Sequence, residues 1–158
     1  MNRRRLAVVA GLLAVAFALV ALAANPGVLI AEYETTTVEA VDGETGESLA
    51  VVDARIADDT LKRYVGLSST DELADDEGML FVHDEPDEYA YVMRNMAFPI
   101  DILFITPDGT ITETHEAAPE SRPLTRYRGT GQFVLEVPRG WSDRNGVERG
   151  DRLVFELP

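Results

Sequence analysis

No cysteine occurs among the 158 residues. That absence removes disulfides, thiolate metal sites, iron–sulfur clusters and a cysteine nucleophile together. Lys62 is the single lysine, and the histidines are His83 and His115 alone. A paired-histidine zinc helix is missing, as are a glycine-rich phosphate loop and a nucleophile elbow. Positive charge is scarce throughout, with 14 basic residues against 28 acids and a net charge of −14. Phosphate repels an acidic surface without a basic patch, so no nucleic-acid partner is expected. No metal is expected either. The acids around His83 (Asp84, Glu85, Asp87, Glu88) lack the glycine and the oxygen ladder of a calcium loop, and read as a solvated acidic loop. No cofactor is implied.

Charge is also absent from Leu6 to Ala24, a run of 19 residues following Arg3, Arg4 and Arg5. As a helix it would reach about 28 Å, close to the ~30 Å hydrocarbon core. Pro26 and Gly27 cannot continue it. The arginines resist translocation, which puts residues beyond 27 outside the cytosol. Two expectations follow: a single-pass membrane anchor through Leu6–Ala24, or a signal cleaved near Ala23 after the small-residue stretch Ala21-Leu22-Ala23. The organisation expected is a signal or anchor over 1–25, a tether over 26–37 and one domain over 38–158. Beyond the arginine triplet the chain keeps 11 bases against 28 acids, net −17. Such a surface stays hydrated where salt screens self-repulsion, so a salt-adapted organism is expected.

The exported part shows β-branched alternation over Thr35–Val41 and Leu49–Ile56, with Asp42-Gly43 and Thr45-Gly46 supplying turns. Asp58-Asp59-Thr60 is an N-cap cluster, and Leu61, Tyr64, Val65 and Leu67 follow at helical spacing. Ser68 to Glu72 reads as a further cap and short turn. Strand patterns then recur at Met79–His83, Tyr89–Arg94, Ile100–Thr106, Thr110–Glu116, Phe133–Val137 and Arg152–Leu157. Ala117–Gln132 reads as a loop holding Arg122, Arg126 and Arg128, and Pro138–Gly146 as a short helix anchored by Trp141. The fold class is a β-rich α+β domain. It is a compact antiparallel sandwich or partly closed barrel of about seven to eight strands with two or three short helices, preceded by the N-terminal hydrophobic helix.

An ordered set of short motifs runs through this region: Gly66-Leu67, Gly78-Met79-Leu80-Phe81, Met93-Arg94-Asn95, Pro99-Ile100-Asp101-Ile102-Leu103-Phe104, Asp108-Gly109, Val134-Leu135-Glu136 and Gly150-Asp151. From about residue 51 onward the chain resembles domain-of-unknown-function family 192, small uncharacterised domains often found behind a signal or anchor. The resemblance implies a β-rich fold and export, and no particular activity. The family pattern usually has methionine and then arginine after Gly66-Leu67, an aromatic pair ending in tryptophan before Met93, and threonine after Asn95. This chain has Ser68-Ser69-Thr70, Tyr91-Val92 and Met96 there.

The polar residues that stand out are Arg94, Asn95 and Asp101. A hairpin around Asn95–Pro99 would pair Arg94 with Asp101, Met93 with Ile102, Val92 with Leu103 and Tyr91 with Phe104, matching apolar partners on both faces. Arg94–Asp101 then reads as a clamp, or as the polar centre of a pocket where Arg94 and Asn95 hold a small polar or anionic ligand. Glu136 reads as a solvent-facing strand residue. Facing Asp101 across the interior, it would instead complete a carboxylate pair fit for glycoside chemistry. The leading functional expectation is a binding or interaction module at the outer cell surface, taking a small polar or anionic ligand or an envelope component. A hydrolase or lyase acting on envelope polysaccharide through Asp101 and Glu136 is the alternative, and a structural accessory of a membrane assembly the third.

Overall fold

The computed structural model describes residues 3–24, 27, 30 and 32–158. It divides into two compact units, Met1–Ala31 and Glu32–Pro158. The first contains α1, Arg3–Ala24. Its apolar run begins in the sequence at Leu6, upstream of the first described side chain, Leu12. Among the described residues no helix is long and apolar enough to cross a membrane. The junction residues Asn25 and Pro26 lie outside the described residues.

The second unit is one seven-stranded sheet: β1 (Thr35–Val41), β2 (Ser48–Ala57), β3 (Glu77–Tyr91), β4 (Ile100–Ile105), β5 (Ile111–Ala117), β6 (Tyr127–Pro138) and β7 (Arg152–Val154). Across the sheet the order is β5-β4-β6-β3-β2-β1-β7. Every neighbouring pair is antiparallel except β2–β3, which is parallel. A parallel pair needs a crossover. Here α2 (Thr60–Val65) and a 3₁₀ turn (Gly66–Ser69) supply it. The outermost strands approach each other through a Thr110–Arg152 bridge, with Ile111 N–H donating to Asp151 O at 2.8 Å and Leu153 N–H to Gly109 O at 2.8 Å. The sheet is therefore curled into a half-barrel, the partly closed form of the expected β-rich class. The two strand patterns expected at 79–83 and 89–94 belong to one strand, β3, whose pairing with β6 is interrupted between Val82 and Asp87. The expected loop over 117–132 is shorter, because β6 starts at Tyr127.

Every strand sends side chains into the curl. Val38, Val52, Leu80, Leu103, Ile111, Leu135 and Leu153 meet there around Trp141, which anchors α3 (Trp141–Asn145) on the core as its indole suggests. A second apolar cluster covers the opposite face: Met79, Phe81, Ile102, Phe104 and Val134, beneath Leu67 and Met93. Period-2 alternation divides each strand between the two. All six residues of β4 are consequently buried. Full burial of each large side chain contributes about 1.5–3 kcal/mol, so the second layer is a substantial share of the stability. This layer also frames the site.

Candidate functional site

Asp59 accepts a hydrogen bond from Lys62 N–H at 2.8 Å and starts α2, as its N-cap position predicts. Gly66 ends the helix with φ of 51°, a conformation that favours glycine. A Cβ there would stand 3.2 Å from the Phe81 ring, so the turn lies directly on the second core layer. Between this crossover, the face of β3 and β6 beneath it, and the chain after Tyr91 lies a cavity of about 270 Å³. Phe81, Leu67, Tyr89 and Tyr91 are among its walls.

Glu136 lies on the floor, opposite Met79 on β3 and Ile102 on β4, and is only 6% exposed. No hydrogen bond to its carboxyl is found among the described residues, and burial alone pushes its pKa up to about 8. At neutral pH it is a carboxylic acid, with a proton to donate into the cavity. Tyr91 is raised well above its ordinary value, first by burial and then by the Glu136 charge. Its hydroxyl lies 2.9 Å from His83 Nε2. Burial first, and then the Arg63 charge, lowers His83 to about 4, and its ring stacks on Tyr89 with centroids 3.6 Å apart. The imidazole is therefore neutral across the physiological range.

Two guanidinium groups line the same cavity. Arg94 lies over the Tyr64 ring, 3.9 Å from the centroid, and donates to Tyr64 O. Arg63 donates to Asp58 O and Val82 O, both at 2.7 Å. Neither forms an ion pair with a carboxylate among the described residues.

The geometry redistributes the residues singled out by the sequence. Arg94 does not meet Asp101, because the expected hairpin does not form. Strand β6, twelve residues long, inserts between β3 and β4 and pairs with both. Asp101 is opposite Val137 and Glu116, and its two carboxylate oxygens accept the N–H groups of Gly140 and Ser142, each at 3.0 Å. It holds the start of α3, which occupies it as fully as an arginine would. Asn95 is exposed and has φ of 56°, a turn conformation that asparagine tolerates well. It does not line the cavity. Glu136 does not face solvent, since β6 has apolar layers on both sides at that point. Nor does it face Asp101. Asp101 shares the curl side with Leu103 and Val137, whereas Glu136 stands with Met79 and Ile102 on the other side.

Arg63, Tyr64, His83, Tyr89 and Tyr91 were not among the singled-out site residues. One signal could have found three of them. Phe81, His83, Tyr89 and Tyr91 all sit at odd positions of a single strand, which places them on one face when 77–91 is read without a break.

A family model described as DUF192, an uncharacterized ACR, matches residues 41–155. The chain belongs to the DUF192 family. Among solved structures, this DUF192 chain is 34% identical to a Sinorhizobium meliloti 1021 protein described as a "putative transcription regulator". That match has a TM-score of 0.72 and covers 78% of this chain and 95% of that one. A protein of unknown function from Novosphingobium aromaticivorans DSM 12444 is 27% identical, with a TM-score of 0.70 over 79% of this chain and 88% of that one. No curated protein matches the chain. Ser68, Val92 and Met96, where this DUF192 domain departs from the pattern it resembles, all line the cavity.

Proposed function

We propose that this DUF192 domain is a binding module held outside the cytosol, and that the cavity between the crossover and β3–β6 receives a small ligand. The single observation carrying this reading is Glu136. The residue is only 6% exposed, and its carboxyl opens onto the cavity and has no hydrogen bond among the described residues. Leaving such a group unpaired costs about 1–3 kcal/mol when neutral and more when charged, so native folds keep few of them. Perturbed groups in clefts mark functional sites, and here the cleft walls are aromatic. Catalysis has less support. Asp101 and Glu136 stand on opposite faces of the sheet, so the two-carboxylate reaction lacks its second group. Transcription regulation, the role named for the Sinorhizobium relative, is disfavoured here, because a net charge of −17 beyond the arginine triplet opposes DNA.

The sequence of α1 supports attachment to the membrane. Leu12, Leu13, Val15, Phe17, Leu19 and Val20 are each at least 58% exposed, apolar surface that a bilayer would cover. Acid-rich composition supports a salt-adapted setting. The test is a thermal-shift screen of the full chain in detergent against small aromatic and aliphatic acids, amides, alcohols and amines. At least one class raises the midpoint, and Ser68→Trp, which fills the cavity, abolishes the rise while circular dichroism stays unchanged. No rise with any class ends the binding reading. Protease added to intact cells should digest the domain, and protection would end the extracytoplasmic reading.

A further inference from the structure

Resting on that binding reading, we propose that the ligand is a small organic carboxylate with an aromatic or compact apolar body, its anionic group held by Arg63 and Arg94 and its far end against Glu136. The first support is a local charge imbalance. Beyond the arginine triplet acids outnumber bases by 28 to 11, yet among the described residues the cavity lining holds two arginines and a single acid, Glu136. Asp84, Glu85 and Asp87 influence Tyr89 but do not line the cavity. Where Glu136 carries its proton, the lining is left with two positive charges and no negative one.

The second support is unused hydrogen-bonding capacity. A guanidinium has five N–H donors in a planar fork. Arg63 spends Nη1 on two carbonyl oxygens, and Arg94 spends Nη2 on one. Backbone carbonyls orient both groups without neutralising them, so each keeps donors and its full charge. Stacking on Tyr64 fixes the Arg94 plane and favours two-pronged recognition of a planar anion. The aromatic walls formed by Tyr89, Tyr91 and Phe81 suit a flat apolar body. Besides Glu136, the titratable or charged neighbours are His83, Tyr89 and Tyr91 from β3, Arg94 from the loop after β3, and Arg63 and Tyr64 from α2. The remaining neighbour is Glu136 from β6, and in its protonated form it does not supply the negative charge that an ammonium ligand would need.

Isothermal titration of the full chain in detergent separates the possibilities with four probes of similar size: benzoate, benzamide, benzyl alcohol and benzylamine. Benzoate is expected to bind at least tenfold more tightly than benzamide, with benzylamine weakest. Arg63→Gln and Arg94→Gln should each reduce benzoate affinity at least tenfold and leave benzamide affinity within threefold. Arg94→Lys should recover only part of the loss, because charge returns without the fork. Equal or tighter binding of benzamide, benzyl alcohol or benzylamine overturns the anionic class while the cavity reading stands. Unchanged benzoate affinity in both glutamine variants overturns the assignment to these arginines. Absence of binding by all four probes, with the thermal-shift screen positive for another class, also overturns the carboxylate; a screen negative throughout removes the binding reading itself.

Discussion

Asp101 and Ser142 are 41 residues apart in sequence and joined by a 3.0 Å hydrogen bond from the Ser142 N–H to the Asp101 carboxylate. The second carboxylate oxygen accepts the Gly140 N–H at 3.0 Å, so one buried side chain ties β4 to the first turn of α3. This short helix begins at a glycine with no side-chain cap of its own. Asp101→Ala would leave two amide donors without their acceptor inside the fold and is expected to cost about 2–4 kcal/mol. Asp101→Asn should cost less, since its carbonyl can serve one of the two donors. Urea unfolding midpoints measure the effect. Ligand binding in the cavity should persist in the folded fraction of either variant, because Asp101 belongs to the other face. A fully stable Asp101→Ala protein with lost binding would reverse the assignment.

How much of this was legible beforehand depended on whether the cause was local. The Asp59 cap, the turns, the alternation of β1 and β2 and the strand patterns of β4 and β5 rest on neighbours in sequence, and they stand where the patterns predict. Trp141 reached the core because an indole has few other uses. Arg94 was misassigned because the hairpin argument used pair matching alone, and apolar residues match many partners equally well. Nothing local to 89–106 announces that a strand from 127–138 will come between. Glu136 was misread for a related reason. A carboxylate in a strand faces solvent when the sheet has a solvated face, and β6 loses that face only once α2 and the 3₁₀ turn fold across it. The cavity arises from that crossover, so its polar residues were visible singly and their convergence was not.

Glu136 and His83 give the protein a defined pH response. Glu136 has an ordinary value of 4.5 and is raised by burial to about 8 in the fold. Folding therefore favours its protonated form. The stabilisation is full below 4.5 and is lost as pH climbs through 8. His83 runs the other way, lowered from 6.5 to about 4 chiefly by burial. Its contribution is present above 6.5 and is lost as pH falls through 4. Between 4.5 and 6.5 the two slopes oppose each other, and above 6.5 only Glu136 acts. Glu136→Gln removes the alkaline loss, so relative to the parent it should gain on the order of 3 kcal/mol between pH 5.5 and 9. Paired urea titrations at those two values check this. A constant difference between variant and parent would mean that Glu136 is not buried in its acid form.

Gly129 and Phe104 make the closest small-to-large contact in the second layer. A Cβ on Gly129 would fall 2.3 Å from Phe104 Cγ and 2.5 Å from Cδ2, far inside van der Waals contact. The ring has no easy retreat. It is fully buried, with edge contacts to Tyr91 at 5.7 Å and His115 at 5.8 Å between centroids. Gly129→Ala should therefore destabilise the fold by about 1–3 kcal/mol or more through overpacking, even though its backbone does not require a positive φ. Phe104→Leu alone should also destabilise, by vacating ring volume. The two changes share one space, so together they should cost less than the sum of the separate losses by about 0.5–2 kcal/mol. A double-mutant cycle in urea reads the coupling directly. Simple additivity would mean that the glycine is kept for another reason, and that the strand beneath Tyr91 is looser than the packing of Phe104 implies.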